Sequence, residues 1–159
     1  MKALIISDTH GRRNEVDIVL QRVGKIDMLF HLGDANGDEE YIRQACGCET
    51  HIISGNNDYR SELNAEETVL TGNHKIWMVH GHKQLVGCTL RYLYDETRDM
   101  GMDIVMFGHT HMPVIEERDG IYMVNPGSLS YPRQENGRGS YIIMETDFEE
   151  KVKFTIDYL

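Results

Sequence analysis

Ala3-Leu4-Ile5-Ile6-Ser7-Asp8-Thr9-His10-Gly11 is the stretch from which the fold can be read. Four consecutive apolar residues change abruptly to Ser-Asp-Thr-His-Gly, the pattern of a strand buried on both faces that delivers a polar loop from its C-terminal end. Val16, Val19, Leu20 and Val23 follow at helical spacing and Gly24 supplies a stop, predicting a helix over 14–23. The chain opens as a strand–loop–helix unit.

The pattern then returns. Met28 to Leu32 runs into Gly33-Asp34 and a polar helix from Asp38 to about Ala45, and His51 to Ser54 runs into Gly55-Asn56-Asn57-Asp58. After an acidic connector over Glu62 to Glu67, Thr68 to Leu70 and Lys75 to Val79 flank Gly72-Asn73 as a hairpin, and its second strand leads to His80-Gly81-His82. Leu85, Thr89, Leu90, Leu93, Tyr94 and Thr97 share one helical face, and Ile104 to Phe107 ends in Gly108-His109-Thr110-His111. From Pro113 onward short alternating strands near 114–117, 121–124, 140–145 and 152–156 alternate with Gly-rich turns, which is antiparallel in character. A parallel-type first half and a hairpin-rich second half predict an α/β fold, a four-layer αββα sandwich of two mixed sheets flanked by helices. No repeat, linker or low-complexity tract divides the sequence, so one domain over 1–159 is expected.

Acidic residues exceed basic ones by 26 to 16, a net charge of -10, with no Lys/Arg block to follow duplex DNA. A stable complex with a long nucleic acid and docking on an anionic membrane are both disfavoured. No apolar run approaches the ~20 residues that span a bilayer. The run from Ala3 to Ile6 is too short for a signal-peptide core. Cys46, Cys48 and Cys88 form an odd set that fits a reducing compartment better than a disulfide framework, so they are expected to be packing residues in a cytoplasmic protein.

In open α/β sheets, ligands collect beyond the carboxyl ends of strands, where loops converge. Asp8, His10, Asp34, Asn56, His80, His109 and His111 all fall at such ends. Two carboxylates, one amide oxygen and four imidazoles suit two borderline divalent cations better than Ca²⁺ or Mg²⁺. Two cations ~3.5–4 Å apart need an anionic bridge, and Asp34 is the candidate. Singly, each residue has an ordinary structural use: Asp8 as a cap before the first helix, Asn56 and Asp58 as turn formers, and His109 and His111 on a polar edge. Five such motifs in one chain make that explanation a string of coincidences.

The ordered motifs Asp-x-His, Gly-Asp, Gly-Asn-x-Asp, His-Gly-His and Gly-His-Thr-His, with the later Asn125-Pro126-Gly127-Ser128 turn, resemble the calcineurin-like metallophosphoesterases, in particular their small bacterial and archaeal phosphodiesterase branch. The resemblance implies Asp8, His10 and His111 on one metal, Asn56, His80 and His109 on the other, and Asp34 bridging. It implies hydrolysis of phosphodiesters, with phosphomonoesters as a further class, of small or nucleotide-like substrates. The two ions would be Mn²⁺ first, with Fe²⁺, Ni²⁺, Co²⁺ or Zn²⁺ as alternatives. In two-metal chemistry a water shared by both ions loses a proton and attacks phosphorus. Main-chain donors near Gly11 or Asn57, and the Arg12 side chain, are candidates to stabilise the equatorial oxygens.

One position departs from the wider family, which often places histidine where this chain has Asn57. Asparagine donates a hydrogen bond but delivers no proton, so His82 becomes the candidate acid and undemanding leaving groups are favoured. Asn125 to Ser128 is expected to close one side of the site, with Tyr131 and Arg133 near the entrance. His51 and His74 are expected to be structural or surface residues, while His31 could support the Asp34 loop. An exposed edge of the antiparallel half would allow a homo-oligomer. The competing function is a noncatalytic protein-assembly scaffold, the role of the retromer subunit that shares this fold. Its sign would be degraded ligand motifs, and here all seven ligand types are present.

Overall fold

Side chains alternate along a strand, so an apolar run with no polar break must feed two cores. The computed structural model describes residues 1–59 and 61–159. In β1 (Lys2–Ile6), Ala3 and Ile5 face one core while Leu4 and Ile6 face another, and all four are fully buried. The first core lies between two sheets and the second lies beneath α1 (Arg13–Val23) and α2 (Glu39–Cys46).

The first sheet has the order β10-β9-β1-β2-β3 and the second β4-β5-β6-β8-β7. The remaining strands are β2 (Met28–His31), β3 (Glu49–Ile52), β4 (Glu66–Thr71), β5 (His74–Val79), β6 (Ile104–Met106), β7 (Pro113–Arg118), β8 (Ile121–Pro126), β9 (Ser140–Thr146) and β10 (Val152–Tyr158), with α3 (Arg91–Asp99) before β6. Strands β1, β2 and β3 are parallel, as are β5, β6 and β8, while β9, β10, β4 and β7 pair antiparallel. Both sheets are therefore mixed. Ile5 and Phe30 from one sheet meet Met78 and Met106 from the other, and Trp77, Val79 and Phe107 turn outward to Leu93 and Tyr94 of α3. The result is the expected αββα sandwich. Parallel strands bring the loops after β1, β2, β3, β5 and β6 to one end of the molecule.

Three local readings change. The third helix starts at Arg91, not near Leu85, because residues 81–89 form successive turns closed by Val86 N to Gly81 O and Cys88 N to Leu85 O. Leu85 has φ 55° and is 54% exposed, while Val86 takes the buried place. Glu66 and Glu67, expected in a connector, belong to β4, where Glu66 accepts from Trp77 Nε1 at 3.1 Å and Glu67 pairs with His51 at 2.8 Å. Cys46 and Cys48, expected as separate packing residues, are joined in a disulfide across Gly47, whose left-handed φ of 62° turns the chain between them. Among the described residues no helix is long and apolar enough to cross a membrane.

Candidate metal centre

Five of the seven proposed ligands sit in the left-handed backbone region: Asp8 at φ 53°, His10 at 46°, Asp34 at 58°, His109 at 68° and His111 at 59°. That conformation is costly for residues with a Cβ, and its clustering at one point marks a functional site. Close approach of the loops makes it feasible. Gly33 has φ 97°, and a Cβ there would lie 2.7 Å from both Gly55 N and His80 Nδ1. The Asp58 carboxylate ties the β2 and β3 loops together by accepting from Asp34 N at 2.7 Å, Asn36 N at 2.7 Å and Gly55 N at 2.8 Å.

All seven side chains converge. His111 Nε2 lies 3.1 Å from Asp8 Oδ1 and 3.4 Å from His10 Nε2, and His10 Nε2 is 4.0 Å from Asp34 Oδ2. On the other side, Asn56 Oδ1 is 3.1 Å from His80 Nε2 and 2.8 Å from His109 Nδ1, and His80 Nε2 is 3.6 Å from Asp34 Oδ2. Asp8, His10 and His111 form one ligand group, and Asp8, Asp34 and His80 form a second that overlaps it.

The donor atoms themselves fit metal. Asp8 Oδ2 accepts from Ser7 Oγ at 2.6 Å and from His109 N at 3.1 Å, leaving the buried Oδ1 with no well-formed hydrogen bond. His80 Nδ1 donates to Leu32 O and His111 Nδ1 to Tyr131 O, each at 2.7 Å, an assignment made from the bonding pattern, which turns both Nε2 lone pairs inward. Lone pairs facing a carboxylate oxygen repel unless a cation lies between them. Imidazole, carboxylate and amide oxygen together suit borderline transition ions.

Electrostatics follow the same geometry. Burial pushes the Asp8 carboxyl up, but the contacts with His111, the nearby His80 ring and the Ser7 hydroxyl outweigh it and leave its pKa below the usual value. Burial also opposes protonation of His111, yet its contact with Asp8 leaves it raised. His109 is lowered by burial and by His80. His82 is lowered by burial and by the neighbouring His80, His109 and Lys83 side chains, which favours a neutral ring at pH 7. Its Nδ1 is buried without a hydrogen-bond partner, and its ring stands 5.6 Å from that of His80.

Asn57 donates twice to Asp34, main-chain N to Oδ1 at 2.8 Å and Nδ2 to Oδ2 at 2.6 Å, which leaves only the second Nδ2 hydrogen for another acceptor. The expected closing segment is present: Asn125 Nδ2 donates to Gly108 O, and Ser128 Oγ donates to Asp8 O. His31 is fully buried, with Nε2 2.9 Å from Thr9 Oγ1 and Nδ1 accepting from Gly33 N, and burial holds its pKa at about 4. It supports both carboxylate loops. His51 stacks on Phe30, and His74 pairs with Asp103, both structural as expected. Ser7 and Thr9 went unassigned in the sequence because a hydroxyl beside a ligand has no distinguishing spacing. Asp58 could have been found, since it closes the Gly-Asn-x-Asp motif.

A calcineurin-like phosphoesterase superfamily domain matches residues 1–149, and the chain belongs to that superfamily. YsnB of Bacillus subtilis, named a probable metallophosphoesterase, is 33% identical over 134 residues, covering 84% of this chain and 78% of that protein. A conserved Streptococcus pneumoniae protein described as a predicted phosphoesterase superposes with a TM-score of 0.83 at 28% identity, covering 99% of this chain and 88% of its own. Vps29 of Entamoeba histolytica, solved as a complex with Zn²⁺, gives 0.79 at 25% identity and covers 99% of both chains. Membership and metal-fitting side chains together make this chain a metal-dependent phosphoesterase in class.

Proposed function

We propose that this chain hydrolyses phosphodiesters of small or nucleotide-like molecules, and phosphomonoesters as a further class, using two divalent transition ions, Mn²⁺ first among them. The observation that carries this reading is the buried Asp8 Oδ1 facing inward-turned imidazole lone pairs. Asp8, His10 and His111 would hold one ion and Asn56, His80 and His109 the other, with Asp34 shared. Bound there, the ions would acidify water and polarise the phosphate oxygens. Asn57 fixes the Asp34 carboxylate through both oxygens, which keeps Oδ2 between His10 Nε2 and His80 Nε2. Ser7 and His109 N hold Asp8 in the same way. His82, favoured neutral, is a weak proton reservoir, which supports substrates whose leaving groups depart without one.

The acidic charge of -10 supports a small substrate over a long nucleic acid or an anionic membrane. The end strands β10, β3, β4 and β7 offer edges for self-association. The scaffold reading draws on the Vps29 likeness. Since that Vps29 is itself complexed with Zn²⁺, metal binding alone does not separate the two readings, but turnover does. Purified protein loaded with Mn²⁺, Ni²⁺, Co²⁺ or Fe²⁺ should turn over bis(p-nitrophenyl) phosphate and lose that activity to chelator. Failure with every ion, and no bound metal by elemental analysis, would sink the enzyme reading.

A further inference from the structure

Tyr131 stands edge-on to the proposed ligand His10, ring centroids 5.3 Å apart. Its hydroxyl accepts a hydrogen bond from Arg12 Nη2 at 3.1 Å, and the Arg12 guanidinium carbon lies 5.2 Å from the ring centre. The segment carrying Tyr131 is fastened to the site's own backbone. Ser128 Oγ donates to Asp8 O at 2.7 Å, Ser130 Oγ to Thr9 O at 2.6 Å, and Tyr131 O accepts from His111 Nδ1. Two residues on, Arg133 N donates to His111 O at 3.1 Å and its Nη1 to Thr110 O at 3.3 Å, so a second guanidinium sits on the same flank.

Among the described residues Arg12 and Arg133 form no ion pair; Arg22, Arg43 and Arg138 form none either, but they donate to Tyr158 O, Thr50 O and Leu159 O, none of which belongs to the proposed site, while Arg13, Arg91, Arg98 and Arg118 each meet a carboxylate. In a chain with 26 acidic against 16 basic residues, two guanidiniums that flank a phosphate site outside any ion pair, with Glu15 acting on Arg12 only at longer range, are available to an anion from outside. Arg12 packs on the Tyr131 ring, which in turn stands beside His10, so its guanidinium flanks the ligand group and is placed for an anionic group next to the reacting phosphate. A planar fork of N–H donors matches phosphate oxygens. Packing against Tyr131 orders the Arg12 side chain before binding, which lowers the entropy cost of the contact.

We propose that Arg12, Tyr131 and Arg133 form a ledge that binds a second phosphate group of the substrate, apart from the phosphorus that reacts. This rests on the phosphodiesterase reading above. Arg12 and Arg133 would bind the phosphate, and Tyr131 would position Arg12.

The test compares thymidine 5′-(p-nitrophenyl phosphate) with its 3′-phosphorylated form, which share a leaving group and differ by one phosphate. Metal-loaded wild type should prefer the 3′-phosphorylated substrate in kcat/KM, mainly through KM. Arg12→Ala and Arg133→Ala should each shrink the ratio tenfold or more, and Arg12→Lys should keep part of it. A ratio unchanged in both alanine variants, or no preference in wild type, overturns the ledge while leaving the phosphodiesterase reading intact. If wild type turns over neither compound, that reading fails instead, and calorimetry decides the ledge alone. Thymidine 3′,5′-bisphosphate should then bind wild type at least tenfold more tightly than thymidine 5′-monophosphate, an advantage lost in Arg12→Ala. Equal affinities would overturn the proposal.

Discussion

The two flanks of the metal centre differ in charge. On one, the loop after β1 and the segment around Tyr131 present two unpaired guanidiniums and an aromatic ring. On the other, beyond Asn57, a cleft of about 690 Å³ is lined by Tyr59 and Leu63 together with Glu39, Glu62, Asn36 and Ser61. Among the described residues the first flank carries guanidiniums and the second carboxylates, so an anionic group is drawn to the first. Asp34 lies between the flanks and Asp58 holds it there.

Breaking the centre that the flanks share should have the largest effect. Asp34→Asn is expected to lower kcat/KM on the order of 10³-fold, since removing a metal's charge stabilisation costs several kcal/mol. Steady-state rates beside metal content check this, and full activity would contradict a bridging role. Asp58→Ala strands three amides and should cost about 3 kcal/mol of stability, lowering the melting temperature by about 10 °C in calorimetry.

A third prediction concerns the support beneath both carboxylate loops. His31 has a folded pKa of about 4 against an ordinary 6.5, so it is neutral when buried and protonates more readily once unfolded. Its contribution to stability is present above pH 6.5 and is lost as pH falls from 6.5 through 4, a drop on the order of 3 kcal/mol. Urea unfolding between pH 7 and 4 should show that slope, and His31→Asn should flatten it. An unaltered slope in the variant would assign it to other groups. The smallest effect is expected on the leaving-group side. His82→Ala should slow alkyl phosphodiesters by no more than about tenfold and nitrophenyl esters hardly at all, well short of the ~10²–10⁴ of a committed general acid. Equal slowing of both substrates would remove His82 from leaving-group assistance.

Much of the fold was legible because each parallel strand ends at a sharp change from apolar to chemically specific residues, as at Ile6-Ser7-Asp8 and Phe107-Gly108-His109. The helix start near Leu85 was misread for the converse reason. Leu85, Thr89 and Leu90 keep helical spacing, but the turns after Gly81 consume the amides a helix would need, and spacing does not register that competition. The Cys46–Cys48 pairing was likewise hidden, because a separation of two positions says nothing about whether the intervening residue turns left-handed.

The sequence by itself determined which Asp, Asn and His side chains stand at the strand ends, because residue type and position relative to an apolar run are local properties. Only the tertiary structure decided which acceptor atoms face one another, that Asn57 serves Asp34 rather than solvent, and that Arg12 meets Tyr131 across 119 positions of chain. Those contacts depend on two sheets packing face to face and converging their loops at one end. Such an arrangement is fixed by the burial of Ile5, Phe30, Met78 and Met106 together, and by none of them alone.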